Sequence, residues 1–203
     1  MIRFLLLSAI LILLGCTTSR PALRSSTGDV KCIQKFIPEL KSEWYNTSVD
    51  VLDNHLSGLL LFKKLDDQSQ RIVFTNEAGI KFFDFGFMAD GTFKVYQALQ
   101  RINKKAVINT FRKDFELLLL NKAKLSIPKA YEAGAEKIFA FETGKEADYV
   151  VVTEDCSQLL RLEKWGKKKM AEITFFGAAA VPDSITIRHF NFRMSIKMKK
   201  INR

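Results

Sequence analysis

Residues 59–99 read LLLFKKLDDQSQRIVFTNEAGIKFFDFGFMADGTFKVYQAL. The stretch holds four runs whose dominant period is two, Leu59 to Leu65, Gln70 to Glu77, Ile80 to Met88 and Phe93 to Leu99. A period of two is the repeat of a strand, whose successive side chains point to opposite faces. Asp66-Asp67, Ala78-Gly79 and Asp90-Gly91 separate the runs, and these residue pairs are hairpin chemistry. Consecutive hairpins build an antiparallel meander, because parallel pairing requires long crossovers. In the third run Phe83, Phe85 and Phe87 fall on one face, with Ile80, Phe82 and Met88 on the other.

Outward from this meander the period changes once. Asn103 to Asn121 places Val107, Ile108, Phe111, Phe115, Leu118 and Leu119 along one helical stripe. Lys104, Lys105, Arg112, Lys113 and Glu116 take much of the other side, while Leu117 and Leu120 make the last turn apolar nearly all round. That end is expected to be buried. Pro128 opens a second short helical candidate, Pro128 to Ala133, which Gly134 stops.

Strands resume with Lys137 to Glu142, Asp148 to Thr153, Gln158 to Lys164 and Met170 to Phe176, and end in a long run, Ser184 to Ile201. In that run Ile185 and Ile187 occupy odd positions, whereas Phe190, Phe192, Met194, Ile196 and Met198 occupy even ones. A β-bulge or sharp bend near Arg188-His189 would return both sets to one face. The expected class is therefore α+β: a curved antiparallel sheet, an open half-barrel, wrapping one main amphipathic helix and a short second helix.

The N-terminal side concerns address. Arg3 precedes the apolar run Phe4 to Leu14, which is shorter than the roughly 20 residues that span a bilayer. It reads as the apolar part of an export signal over residues 1–15. Leu13-Leu14-Gly15-Cys16, followed by polar Thr17-Thr18-Ser19-Arg20, resembles the lipobox of bacterial lipoproteins, which implies cleavage before Cys16 and acylation of its thiol. Each buried methylene contributes about 0.8 kcal/mol, so a multiply acylated cysteine anchors firmly. Thr17 stands where inner-membrane retention signals often carry Asp, and by that resemblance the expected location is the periplasmic face of an outer membrane. Residues 16–35, rich in Ser, Thr and Arg with little to bury, are expected to form a flexible lipidated tether, leaving 36–203 as one domain.

The formal charge is +10, from 32 Lys and Arg against 22 Asp and Glu, and Arg3 leaves with the signal. Basic residues concentrate at Lys167 to Lys169 and Lys197 to Arg203, which suits an anionic lipid surface or simply a solvated face. Export argues against nucleic acid as a partner. Besides Cys16, the chain has Cys32 and Cys156. An oxidising compartment allows them to pair, and two separate buried thiols fit the sequence as well.

The order of signal, tether, meander, amphipathic helix and second meander, with the Pro-led final strand Val181 to Ile187, resembles the open half-barrel of the Lol lipoprotein carrier and its outer-membrane receptor, LolA and LolB. In those families a curved sheet wraps helices and its apolar lining binds acyl chains. The resemblance implies lipid or lipoprotein handling at the outer membrane; an envelope protein is the partner expected under the closed-core alternative. The lining residues expected here are Phe83, Phe85, Phe87, Phe111, Phe115, Phe190, Phe192 and Met194. The competing expectation is a closed core in which these rings pack on the helix, giving a structural or assembly lipoprotein.

Enzymatic chemistry finds little support. His55 and His189 belong to no nucleophile, metal or phosphate motif, and Thr143-Gly144-Lys145 lacks the glycine and helix of a phosphate loop. Asp84 and Asp155 are candidate acids without an evident second carboxylate. No cofactor or metal is expected.

Overall fold

The computed structural model describes residues 23–177 and 180–201. Cys16 and the export signal lie outside the described residues. The chain begins with β1 (Arg24–Ser26) and α1 (Lys31–Gln34), then runs through β2 (Ser42–Val51), β3 (Asn54–Lys64), β4 (Gln70–Thr75), β5 (Lys81–Phe87) and β6 (Phe93–Ala98). Two helices follow, α2 (Lys105–Leu118) and α3 (Asn121–Leu125). The second meander is β7 (Lys129–Ala133), β8 (Glu136–Thr143), β9 (Glu146–Thr153), β10 (Leu159–Trp165), β11 (Lys169–Phe176), β12 (Ser184–His189) and β13 (Met194–Lys200).

All these strands belong to one sheet, in the order β1-β7-β8-β9-β10-β11-β12-β13-β2-β3-β4-β5-β6. Each pairing is antiparallel, and the two meanders meet where β13 pairs with β2, Ile196 opposite Val49. β1 and β6 are edges, so the sheet is not closed. It does curve. β9 and β5 stand eight places apart, a span of roughly 38 Å in a flat sheet at ~4.8 Å per strand. Yet α2, only about 10–12 Å wide, touches both, through Lys113 to Glu146 of β9 at 2.7 Å and through Phe111 to Phe83 of β5 at 5.1 Å between ring centres.

The turns expected in the first meander occur where the sequence places them. Gly79 and Gly91 adopt φ of +80° and +83°, the left-handed region that glycine enters at no steric cost. The apolar end of the main helix is buried as expected: Leu117 to Leu120 are all at most 3% exposed.

Four expectations are corrected. Pro128 to Ala133 is not a helix. Its residues Lys129–Ala133 form β7, paired with β8 around a turn at Gly134 and with β1 on the other side. The short helices are instead α1 and α3. The predicted helix over 103–121 ends at Leu118, because Leu120 takes a left-handed φ of 50° and starts α3 in a new direction while its side chain stays buried. The terminal run is two strands joined by a turn at 190–193, so Ile185 faces Met198 and Ile187 faces Ile196. Chain reversal, rather than a bulge, brings both parities to the same buried face. Finally, part of the stretch expected as tether belongs to the domain: Arg24–Ser26 pair with Glu132 to Ala130, Ile33 is fully buried, and Cys32 is disulfide-bonded to Cys156. Thiol pairing, hydrogen bonds and burial of Ile33 supply the fixed structure that composition alone does not signal.

Most buried apolar side chains form one core between the inner face of the sheet and the helices. A smaller cluster, centred on Tyr149, Val151 and Trp165, lies on the opposite face of β8–β10.

Candidate functional site

Five of the eight residues expected to line a hollow come together. Phe83 and Phe85 stack at 4.4 Å, Phe111 lies 5.1 Å from Phe83, and Phe115 lies 6.1 Å from Phe62 and 6.4 Å from Phe87. Alternation on β5 points the three strand rings inward, and the i, i+4 spacing of Phe111 and Phe115 presents both from one face of α2. The result is packing, not a hollow. Phe83, Phe85, Phe111 and Phe115 have no exposed surface, and none lines the three cavities described below. Apolar burial is non-directional, so rings that could receive an acyl chain are equally satisfied by one another.

The other three lie elsewhere. Met194 is buried at the start of β13, Phe192 is half-buried against His189 at 4.9 Å, and Phe190 is 47% exposed in the β12–β13 turn beside Arg188 and Lys169. Of the eight, Phe87 lines a cavity at the end of the sheet.

That cavity, about 650 Å³, opens at one end of the sheet. It falls within the roughly 300–1,000 Å³ of small-molecule sites. The turn after Leu118 swings α3 over the opening, and the segment 37–41 closes it from the opposite side. That segment is held down by Gln70 Nε2, which donates to Leu40 O at 3.0 Å, and by Lys64 N, which donates to Lys41 O at 2.8 Å. Leu40, Phe87 and Leu119, each at most 6% exposed, form the apolar floor, with Met88 and Leu125 nearer the mouth. Leu125 is 69% exposed, and Ile127 just beyond it is 86% exposed. The rim is charged: Glu39, Lys41, Lys64, Glu116, Lys122 and Lys124. The sequence reading missed these residues. Their one visible signal is Lys122 to Pro128, where Leu125 and Ile127 stand among lysines with no period that would bury them.

Two further cavities are less suited to an apolar ligand. One, about 670 Å³, lies on the outer face of β2, β3 and β13 among residues such as Asn46, Ser48, Ser57 and Lys197. Another, about 600 Å³, is bordered by Lys35, Phe36, Ser157, Gln158 and Phe175 near the disulfide.

Buried charge flanks α2 on the side away from the phenylalanines. Asp114 Oδ2 lies 2.9 Å from His189 Nε2, both side chains at most 4% exposed. Burial pushes the Asp114 carboxyl above its usual range, against the opposing bond from His189. Among the described residues His189 Nδ1 has no partner. Nearby, Asp148 is bonded by buried Lys164 and by Lys122, the latter at 2.7 Å. On the outer face burial of Asp84 works against its charge, but bonds from Arg71 and Lys81 outweigh it and hold its pKa below the ordinary value.

Both histidines stand beside a carboxylate. His55 Nδ1 is 2.6 Å from Asp50, and Ser195 Oγ donates to the other Asp50 oxygen at 3.4 Å, so the carboxylate stands between histidine and serine. A nucleophile requires the base between serine and acid. Asp155, whose pKa is drawn down to about 2 by Thr153 first and then by Ser157, organises the β9–β10 turn. Among the described residues no three His, Cys, Asp or Glu side chains are grouped to hold a metal. Among them, too, no helix is long and apolar enough to cross a membrane.

No family model matches the chain, and none of the curated proteins does. Solved structures similar to it include a DUF1329 family protein from Desulfovibrio piger, 8% identical, covering 85% of this chain and 88% of that one at a TM-score of 0.44. Another is an outer membrane lipoprotein-sorting protein domain from Vibrio parahaemolyticus, 6% identical, covering 85% of this chain and 90% of that one at a TM-score of 0.42.

Proposed function

We propose that this chain is an envelope lipoprotein, anchored through Cys16 at the periplasmic face of an outer membrane, whose half-barrel domain binds an acyl-chain ligand in the end cavity beside α3. The carrying observation is the cavity of about 650 Å³ with an apolar floor of Leu40, Phe87 and Leu119 and a charged rim. Such a site takes a chain by non-directional burial and orients it by polar groups at the mouth. Binding is thus assigned to the end of the curved sheet rather than to the space under α2, which phenylalanines fill. Residues Cys16 to Leu23 serve as the tether, a shorter one than composition alone implies. Lipid or lipoprotein localisation is the role such an anchored binder would fill.

A second role has its own support. The packed rings of Phe83, Phe85, Phe111 and Phe115 favour a closed-core assembly lipoprotein that holds an envelope protein. Native mass spectrometry of the protein from Thr17 onward, purified from bacteria, with lipid extraction of whatever co-purifies, separates the two. A near-stoichiometric acyl-chain adduct, lost when Leu119→Trp fills the floor, is the expected result. A clean apo mass that persists after incubation with envelope lipids would overturn the binding role and leave the assembly role.

A further inference from the structure

Building on the acyl-binding role proposed above, we infer that the ligand's head is an anion, a phosphate or a carboxylate, seated between Lys64 and Lys124 at the mouth of the end cavity. Both carboxylates on the rim have cationic neighbours: Glu39 lies 3.7 Å from Lys41, also on the rim, and Glu116 Oε1 accepts from Arg112 at 2.7 Å. A third rim lysine, Lys122, is held at 2.7 Å by Asp148. Lys64, at the end of β3, and Lys124, in α3, remain, and among the described residues neither ammonium faces a carboxylate. Lys124 Nζ bonds only as far as the neutral Oδ1 of Asn121, at 3.2 Å.

Both side chains are exposed at the mouth, and neither is paired with a carboxylate among the described residues. Desolvation in the cleft, and after it the charge of Lys64, draw the Lys124 pKa below the ordinary lysine value. An anion between the two relieves that repulsion, whereas a neutral or cationic head leaves it in place. Ammonium is a compact charge with rotatable donors and no fixed fork, so the pair accepts a phosphate or a carboxylate without demanding one geometry. Immediately below lies the floor of Leu40, Phe87 and Leu119, which fits a ligand charged at one end and apolar along its length.

Calorimetric titration of the protein from Thr17 onward tests this, with dodecyl phosphate, monolauroylglycerol and inorganic phosphate as separate probes at low salt and below micelle concentrations. Dodecyl phosphate should bind about tenfold or more tighter than monolauroylglycerol. Lys64→Gln/Lys124→Gln should abolish that advantage, bringing dodecyl phosphate down to the affinity of monolauroylglycerol. Equal affinity for both amphiphiles in the unaltered protein would overturn the anionic head while the acyl-binding role stands. Inorganic phosphate binding as tightly as dodecyl phosphate would keep the anion seat but assign it to free phosphate, and the acyl-binding role would fall. Failure of all three probes would end both. If the double variant lost both amphiphiles with an unchanged unfolding midpoint, the lysines would shape the cavity rather than read a charge, and the inference would be overturned. As an independent readout, the NMR-detected pKa of Lys124 should rise when dodecyl phosphate binds; an unchanged value would count against the seat.

Discussion

The two flanks of α2 solve the same burial problem with opposite chemistry. Toward β3 and β5 the helix presents Phe111 and Phe115 to Phe62, Phe83 and Phe85, and nothing polar intervenes. Toward β9 and β12 it presents Lys113 to Glu146 and buried Asp114 to His189, with Asp148 and Lys164 paired close by. The aromatic flank gains stability in proportion to area and tolerates any arrangement that fills space. Partners on the charged flank have to be kept, because a buried charge left alone costs several kcal/mol. The first flank supplies most of the adhesion, and the second fixes where the helix sits.

Four experiments break or sharpen that contrast. Phe115→Ala removes a fully buried ring that touches Phe62, Phe83 and Phe87, and should cost about 3–5 kcal/mol in urea unfolding. A loss below about 1 kcal/mol would mean that the aromatic flank is not tightly packed. Next is Lys164→Met, expected to cost about 3 kcal/mol, the lower end for a broken buried pair, since Lys122 still reaches Asp148. Adding Asp148→Leu should recover most of the loss, and failure to recover would show that the pair stabilises beyond its own desolvation.

Asp114→Asn probes the sign of the charged flank. A carboxyl whose folded pKa lies above its unfolded value contributes stability that is full below the unfolded value and is lost as pH rises through the folded one. The stability of the unaltered protein minus that of Asp114→Asn should therefore fall as pH rises above the ordinary carboxylate range. A difference that grows with pH would mean Asp114 and His189 act as a favourable ion pair. The smallest effect is expected at Phe190→Ser, within about 0.5 kcal/mol, with ligand binding untouched, because the ring sits half in solvent beside Arg188. A tenfold loss of acyl-chain binding there would restore Phe190 to the site.

Much of the fold was legible because hairpins write themselves locally. Alternation and turn residues marked β4 to β6 and β8 to β11 within a residue or two of their observed ends, but caught only the second half of β3, which begins at Asn54 rather than Leu59. What was misread had its cause at a distance. Lys129–Ala133 looks helical after a proline, yet two neighbouring strands offer it hydrogen bonds on both sides. The Ser184 to Ile201 run has no glycine or asparagine-glycine pair to announce a reversal at 190–193, and only the pairing of Ile185 with Met198 makes it a hairpin. At the candidate site, the phenylalanines were visible as an inward aromatic face, but whether that face is lined or filled depends on how closely α2 approaches.

By itself the sequence determined the strand and helix periods, the meander order, and the inward faces of β5 and α2. Those features arise from residue spacing over a few positions, which backbone geometry converts directly into direction and turn. Tertiary structure alone decided that Cys32 meets Cys156, that α2 fills the aromatic face, and that Leu40, Lys64, Leu119 and Lys124 gather around one opening. Each of these joins segments far apart in the chain, and no local period records which distant surfaces a curved sheet will bring within reach.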